Sequence, residues 1–346
     1  MRYLRMLSNS VIAAGVASGY LMALVLQLNP SISIDPATLL PLALVFGVAY
    51  GANITVAFYA LIVMRQILAV EVLSPGWLSV RLLSWLCTIA AVTGSTLMWL
   101  NWRGFGDVLD PLTRDRMFLG AVYVTAAAVI FLGLGIAHLG RRGGRISATI
   151  LVTTMVLSVA APIVARGPAR QPDVPESASS PLTSPEGPAT DAHIRMLMFD
   201  GASLEVILSS VAAGRLPNIA RILDKGSVLH LATLRPTQAE PVWSAIATGR
   251  YPMANGVRSA LVYRAFGSGT PIQLLPDYCF SQALVTFGFL SEQSQTANDL
   301  LARPIWNILS DRGASVGVND DAGDGGGSGR LRHSRHGKQC HDNSHG

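Results

Sequence analysis

Charged residues are scarce in this sequence, and their scarcity sets the first limits on what the protein is. Only 14% of its 346 residues are Asp, Glu, Lys or Arg, whereas soluble domains carry about 25%. Cysteine is scarce too, with three in the chain, which excludes a small scaffold held together by disulfides. Half of the residues are apolar and the mean hydropathy is +0.40, which excludes a disordered chain and an ordinary cytosolic enzyme. The composition indicates a chain that places much of its length in lipid.

Stretches without any charge are long, and they lie in the first half of the chain. Each reaches about 20 residues or more, the length that a helix needs to cross a hydrocarbon core of about 30 Å. They predict five transmembrane helices, near residues 8–28, 40–64, 82–101, 117–139 and 146–165. A cleaved signal peptide explains the first stretch poorly, because that stretch is long and four more follow it.

Arginine in the connecting loops predicts the orientation, since short cytoplasmic loops carry an excess of positive charge. With the N-terminus inside, the cytoplasmic segments contain seven arginines and the outer loops contain three. The seven are Arg2, Arg5, Arg65, Arg81, Arg141, Arg142 and Arg145, and the three are Arg103, Arg114 and Arg116. We therefore expect an integral protein of a bacterial plasma (inner) membrane, with a cytoplasmic N-terminus and with residues 166–346 outside the cytoplasm.

Ionisable residues inside the predicted spans are few, although transport and ion-coupling sites depend on them. His138 is the one candidate, and it lies a turn from the end of its span, where the membrane interface is expected. Pro41, Gly47, Gly51 and Asn53 leave two interpretations of the second span open: a broken helix that lines a site, or helix packing through small residues. Packing is favoured, so the bundle is expected to serve as an anchor.

A proline-rich segment separates the spans from the rest of the chain. Residues 166–192 contain six prolines and almost no large apolar residue. They cannot bury enough surface to fold, and we expect an extended tether. The predicted organisation is a transmembrane domain at 1–165, this linker, a soluble domain at 193–318 and a tail at 319–346.

After the linker, strand and helix patterns alternate. The apolar run from His193 to Asp200 predicts a buried strand, and residues 228–234 alternate like a second one. Ser203 is expected to cap the first helix, Gly214 to end it and Pro217 to begin the next. This order is typical of an α/β domain, in which ligands bind at the carboxyl ends of the strands.

Several segments of this region resemble the opening of a domain of the alkaline phosphatase superfamily. They are FDGAS (199–203), AGRLPNIARILDKGS (213–227), RPTQAEPVWSAIATGRYP (235–252), NGV (255–257) and ARPIWNILSDRGASVGV (302–318). Their order and spacing resemble the type I phosphodiesterase/nucleotide pyrophosphatase group most. The expected fold class is therefore an all-α transmembrane bundle of five spans, followed by an α/β domain resembling part of an alkaline-phosphatase-like fold.

The resemblance implies two divalent metals, commonly zinc, and a Thr or Ser nucleophile at a helix N-terminus that favours phosphate. Asp200 matches the first metal-binding Asp, although a turn or helix-capping role is the alternative. The nucleophile position falls on Ala239, which has no hydroxyl. Thr237 is then the candidate nucleophile and a candidate metal contact, or an ordinary residue before a helix, and Glu240 is a candidate ligand or base. Asn255 stands where the family has an exposed His.

The 28 residues of the tail, 319–346, contain only three apolar residues, so they cannot form a core element. One interpretation is a metal-binding segment, with the ligands His333, His336, Cys340, His341 and His345. The favoured one is a changed reading frame near residue 319, which truncates the domain before the family's later Asp and His ligands. The chain has 24 Arg against two Lys, as a GC-rich genome gives, and out-of-frame GC-rich codons produce such Gly, Arg and His runs.

Two further features stay open at this point. Residues 259–299 have mixed periodicity and form either a lid over the site or a packing insertion. Cys279 and Cys340 are both expected outside the cytoplasm, where a disulfide is allowed, whereas Cys87 lies in a span. The net charge of +5 does not indicate nucleic acid, because no basic stripe with interleaved aromatics is present.

The sequence thus predicts a membrane-anchored, metal-dependent phosphohydrolase or phosphodiesterase that acts outside the cytoplasm. Its expected partners are the lipid bilayer and a phosphate-ester substrate, and its activity is expected to be impaired because later metal ligands are missing. The alternative is an inactive multi-span membrane protein with a degenerate phosphodiesterase domain.

Overall fold

A computed structural model describes most of the chain. The described residues are 1–68, 76–138, 144–170, 194–199, 201–267, 269–278, 281–295, 299–311 and 314–317. Asp200, most of the linker, Cys279 and the whole 319–346 tail lie outside them. The predictions of a first metal ligand, a Cys279–Cys340 disulfide and a tail that binds metal therefore remain predictions.

Among the described residues, five helices are long and apolar enough to cross a membrane, which confirms the predicted spans. The spans are α1 (Arg2–Leu28), α2 (Pro36–Phe46) continuing through a π-helical turn (Gly47–Gly51) into α3 (Ala52–Leu68), α4 (Val80–Gly104), α5 (Pro111–Ala137) and α6 (Arg145–Arg166). The second span is 33 residues long, or about 50 Å at 1.5 Å per residue. Since the hydrocarbon core is about 30 Å thick, part of this helix extends beyond it.

The same short motif begins two of the spans several residues earlier than the charge pattern predicts. Asp35-Pro-Ala-Thr starts α2 and Asp110-Pro-Leu-Thr starts α5. In each, the Asp carboxylate accepts a hydrogen bond from the Thr backbone N–H, at 2.8 Å in the first and 3.1 Å in the second. Proline at the first helical position loses nothing by lacking an N–H there. The caps explain why α2 begins at Pro36 and α5 at Pro111.

Glycines let the spans approach one another closely. A Cβ on Gly94 would lie 2.8 Å from the Tyr20 ring, and a Cβ on Gly120 would overlap the Gln27 side chain. In the second span, Gly51 packs against Ser18 of α1, but a Cβ on Gly47 would meet nothing within 4 Å. The helix is not interrupted there, since the π turn joins α2 to α3. Gly51 therefore serves close helix packing, whereas Gly47 does not.

The end of the bundle at which α6 finishes is called here the linker face. Residues 29–35, 105–110 and 167–170 lie at this face, between the ends of α1, α4 and α6 and the starts of α2 and α5. The buried guanidinium of Arg166 ties it together, because Nη2 donates to the carbonyl oxygens of Asn29 and Ile32. His138 lies at the opposite end of the bundle as the C-cap of α5, which confirms its predicted place at the end of a span.

The rest of the described chain contains short helices and a small antiparallel sheet. The elements are α7 (Leu204–Ala212), α8 (Pro217–Lys225), α9 (Ala239–Thr248), α10 (Pro252–Asn255), β1 (Leu261–Ala265), β2 (Pro271–Ile272), α11 (Ser281–Thr286), β3 (Leu290–Ser294) and α12 (Ile305–Asp311). The strand order is β2-β1-β3. Helices α7 and α8 meet at a 105° bend, and only together are they long and apolar enough to form a broken membrane span.

The expected fold class is confirmed, but the strands are not where the sequence predicts them. Residues 194–199 and 228–234 form no strand and are exposed except for the half-buried Leu234, so both strand predictions are wrong for the described residues. A strand persists only through ladder hydrogen bonds to a neighbour, and neither segment has a paired strand in the described part of the chain. Residues 314–317, which follow α12, are irregular too.

Residues 259–295, here the sheet module, pack onto the linker face. Four buried side chains of the module share one core with the second span: Ala265, Ile272, Leu284 and Leu290. The bundle residues of that core include Ile32, Leu42, Val45 and Phe46. Of the two interpretations of 259–299, the structure shows the packing element.

Candidate functional site

The candidate hydroxyl lies in the loop that leads into α9. Thr237 is exposed, and its Oγ1 donates a hydrogen bond to the Leu234 carbonyl oxygen at 3.0 Å. Gln238 is the N-cap in an extended conformation, and Ala239 is the first helical residue. The hydroxyl therefore stands just outside the helix, two residues before Ala239 at the first helical position, and none of the described residues donates a hydrogen bond to it.

The N-terminus of α9 supplies backbone donors at this place. The N–H groups of Ala239 and Glu240 belong to the first turn, Pro241 has none, and Val242 N–H donates to the Gln238 carbonyl oxygen at 3.3 Å. Free N–H groups and the helix dipole favour an anion at such an end. Glu240, half-buried in the same turn, puts a carboxylate beside these donors. The arrangement offers two donors, one hydroxyl and one carboxylate within four residues.

The described residues do not by themselves form a metal centre. No group of three or more His, Cys, Asp or Glu side chains comes together among them. Asp200 lies outside the described residues, and within these no hydrogen bond joins Thr237 to Glu240. The donor set that the structure describes therefore does not fit a two-metal site.

The loop that carries Thr237 is held from two sides. The backbone N–H of Arg235 donates to Asp107 Oδ2, at 3.2 Å, in the connection between α4 and α5. On the other side, Gln238 Oε1 accepts from the N–H of Ala260, at 3.3 Å, just before β1. The candidate site is thus tied both to the linker face and to the sheet module.

Two asparagines of the bundle hold the sheet module. Asn29 Oδ1 accepts from the N–H groups of Gln273 and Leu274, both at 2.9 Å, and Nδ2 donates to the Leu274 carbonyl oxygen at 2.7 Å. Asn101 pairs in the same way with Asp277, at 2.8 Å and 3.1 Å. Sequence reasoning missed these residues, because no local pattern links positions 176 or 245 residues apart.

A buried arginine also lies where the sheet module meets the linker face. Arg258 is almost fully buried and donates through Nε to Gln273 Oε1 at 2.6 Å. Burial lowers the pKa of Arg258 to about 10, and the Asp110 carboxylate works against that shift. The Arg258 guanidinium therefore remains charged at neutral pH inside the junction.

The TG and NG steps of the family-like segments have structural roles. Gly249 (φ +64°) ends α9 in the left-handed region, and Gly256 (φ +88°) ends α10 where a Cβ would lie 2.8 Å from the Asp299 carbonyl oxygen. Asn255, at the position of the family's His, is buried and bonds to the Arg250 carbonyl oxygen and the Val257 N–H. Asn255 therefore shapes this turn.

Comparison with known families decides what this region resembles. Residues 196–271 match the family type I phosphodiesterase / nucleotide pyrophosphatase. This phosphodiesterase match confirms the resemblance seen in the sequence and is consistent with the alkaline phosphatase superfamily. It contains Asp200, Thr237 and Glu240, and it leaves the five spans outside. No curated protein and no solved structure matched the chain.

Proposed function

We propose that this protein is a membrane-anchored phosphodiesterase-like hydrolase that cleaves phosphate esters outside the cytoplasm and depends on a divalent metal, with zinc the first candidate. One observation carries the proposal: the segment that matches the phosphodiesterase family is fastened to the linker face through Asp107 and the sheet module. The excess of arginine in the loops at the opposite face supports an extracytoplasmic site.

Each candidate residue has a distinct role in this proposal. The first-turn N–H groups of α9 orient a phosphoryl oxygen, and the Thr237 hydroxyl attacks phosphorus as the bond from phosphorus to the ester oxygen breaks. Glu240 accepts the hydroxyl proton and returns it to the departing alcohol. Water then attacks the phosphothreonine, which releases the phosphate product and restores the Thr237 hydroxyl. Asp200 is the proposed metal ligand. Because the described donors do not make a metal set, metal dependence rests on the family match and no step is assigned to the metal. Turnover is expected to be low, since the helical position beside Thr237 is Ala239.

The test uses the full chain in detergent or nanodiscs. Turnover of bis-p-nitrophenyl phosphate and p-nitrophenyl phosphate is measured with and without a chelator, and bound metal is counted by mass spectrometry. Thr237→Ala and Asp200→Ala are expected to abolish turnover. Ser209→Ala is the matched control, because Ser209 is an exposed hydroxyl that donates to a carbonyl oxygen three residues back, as Thr237 does. Equal turnover in Thr237→Ala and Ser209→Ala would remove Thr237 from the mechanism.

A second candidate function is favoured by Ala239. Ala239 is the first residue of α9, and residues 194–199 and 228–234 pair with no strand among the described residues. Both features are expected of a phosphodiesterase domain that has lost its catalytic activity. The protein is then an inactive multi-span membrane protein. Absence of bound metal and of turnover in the full chain would select this candidate over the first.

A further inference from the structure

Two Phe-Gly turns lie side by side at one end of the small sheet. Phe266-Gly267 follows β1, Phe287-Gly288 precedes β3, and the two strands end in register at the Ala265–Leu290 pair. The N–H of Phe266 donates to the Phe289 carbonyl oxygen at 3.1 Å, which holds the two turns together. Yet Phe266 is 80% exposed and Phe287 is 75% exposed. A folded, hydrogen-bonded structure thus presents two large aromatic side chains to its surroundings.

The surroundings at this end of the sheet are the second membrane span. Ala265 and Leu290 are buried in the core that contains Leu42 and Phe46 of α2. Phe266 therefore comes one residue after the buried Ala265, and Gly288 comes two residues before the buried Leu290.

The outer side of the same helix is apolar and uncovered. Leu40 is 65% exposed and Leu44 is 60% exposed on α2. In a membrane span, such side chains face lipid. The first turns of α2 begin this span, so they are expected near the membrane–water interface. The face of α2 that carries Leu42 and Phe46 packs against the sheet module, and the face that carries Leu40 and Leu44 is turned away from it.

Other aromatic residues indicate where the membrane–water interface lies at this end of the bundle. Trp99 and Trp102 of α4 pack edge to face at 5.7 Å, and Phe118 of α5 lies 5.3 Å from Trp99. The Arg114 guanidinium stands 5.1 Å over the Trp102 ring. Aromatic rings with an adjacent cation are typical of the headgroup region.

We infer that Phe266 and Phe287 insert into the lipid interface beside α2, so that the sheet module is a second membrane contact in addition to the five spans. The occupant of this surface is the bilayer itself. The argument is that β1 packs against a membrane-spanning helix one residue before Phe266, and that both phenylalanines are exposed at the end of the bundle where Trp99, Trp102 and Phe118 cluster. It uses neither the candidate hydroxyl nor a metal, and it stands whether or not the protein hydrolyses a phosphate ester.

The experiment places a reporter at each turn. In a cysteine-free full chain (Cys87→Ala, Cys279→Ser, Cys340→Ser), Phe266→Cys or Phe287→Cys is labelled with the environment-sensitive dye NBD and reconstituted in phosphatidylcholine nanodiscs. Ser294→Cys is the matched control, because Ser294 is exposed at the opposite end of the same sheet. Each variant is first checked for an unchanged thermal unfolding midpoint in detergent.

The expected result is a blue-shifted emission at positions 266 and 287 that is quenched by doxyl-labelled lipid and protected at least about threefold from aqueous iodide relative to position 294. Iodide quenching at 266 and 287 equal to that at 294 would overturn the inference. Protection from iodide without quenching by doxyl lipid would also overturn it, because the cover would then be protein, such as a second copy of the chain.

Discussion

Asn29 pairs with both backbone groups of Leu274, accepting its N–H through Oδ1 at 2.9 Å and donating through Nδ2 to its carbonyl oxygen at 2.7 Å. A side-chain amide carries a donor and an acceptor at the spacing of a peptide group, so it replaces a missing strand neighbour. Asn101 does the same for Asp277. The sheet module is therefore bound to the bundle by specific polar contacts in addition to its apolar core.

Asn29→Asp is expected to weaken this attachment. The variant keeps the size of the side chain and removes the donor, so the Leu274 and Val25 carbonyl oxygens face a carboxylate. A loss of about 2–3 kcal/mol in the free energy of unfolding is expected for buried groups left unpaired. Thermal unfolding in detergent measures it, together with the rate at which a protease cuts the sheet module. Asn218→Asp, at an exposed site in α8, is the control, and an equal effect there would contradict the pairing.

Gly120→Ala is expected to disturb the contact between α5 and α1. The new Cβ would overlap the Gln27 side chain, whose Nε2 donates to the Pro162 carbonyl oxygen at 3.2 Å. Forcing an atom into a packed interior costs about 1–3 kcal/mol, seen as a lower unfolding midpoint. Gly133→Ala is the matched control on the same helix, because a Cβ there meets nothing within 4 Å. A midpoint unchanged by both substitutions would show that the helices adjust freely.

Two aspartates, one at the linker face and one in the sheet module, are expected to respond to pH with opposite signs. Hydrogen bonds from Ser33 and from the Thr38 N–H hold the pKa of Asp35 below its usual value, whereas burial raises the pKa of Asp277. Relative to an unfolded value of about 3.9, the Asp35 contribution is present above that pH and is lost as the pH falls through the lowered pKa. The Asp277 contribution is present below it and is lost as the pH rises through the raised pKa.

Asn substitutions at these two positions separate the effects. Asp277→Asn is expected to raise the unfolding midpoint at pH 7 and to leave it unchanged near pH 3. Asp35→Asn is expected to lower the midpoint at pH 7, with an effect that shrinks as the pH falls below the unfolded value and through the lowered pKa of Asp35. Unfolding curves between pH 3 and pH 8 measure both, and a shift of the same sign in the two variants at pH 7 would contradict the assigned causes.

Ala239→Thr is expected to raise phosphodiesterase turnover. It places a hydroxyl at the first position of α9, which is the family's nucleophile position, beside the free N–H groups of the helix. We expect an increase of at least about tenfold, the effect of roughly 1.4 kcal/mol on the barrier, retained when Thr237→Ala is added. Ala213→Thr, at the exposed end of α7, is the control. No gain over that control would support the inactive candidate function.

The predicted orientation is tested with an impermeant thiol reagent on intact cells. Ser294→Cys, in the sheet module, is expected to react from outside. Gly76→Cys lies before α4 at the opposite end of the bundle, and it is expected to react only after the cells are opened. The reverse pattern would place the site in the cytoplasm and would contradict the arginine count.

The membrane half was largely predictable from the sequence, because a span needs only a long charge-free stretch. The helix starts at Pro36 and Pro111 were missed, since the Asp-Pro-x-Thr caps lie in the polar loops that a charge criterion discards. The strands were misplaced for a different reason. A strand depends on its partner, and the apolar pattern at 228–234 records a tendency to pair without showing that a neighbour is present.

The sequence proposes the residues of the candidate site, but it does not predict which parts of the bundle contact them. Thr237 and Glu240 were found by counting from Thr248-Gly249 along a familiar order of segments. Asp107 was not, because a carboxylate in a loop between two spans has no local signature of a contact 128 residues away. The same holds for Asn101, a polar residue near a helix end whose partner is distant in sequence.

The bond between Arg235 and Asp107 changes the meaning of the long linker. Residues 171–193, fully extended, would reach roughly 75–80 Å, enough for a head that swings freely above the bilayer. A region that is hydrogen-bonded to the bundle does not need a linker of that length. The position of Thr237 relative to the bundle is then set by the contacts to Asp107 and to the sheet module, so a shorter or longer linker is expected to leave that position unchanged. In the proposed function, the phosphate ester must then come to the membrane surface.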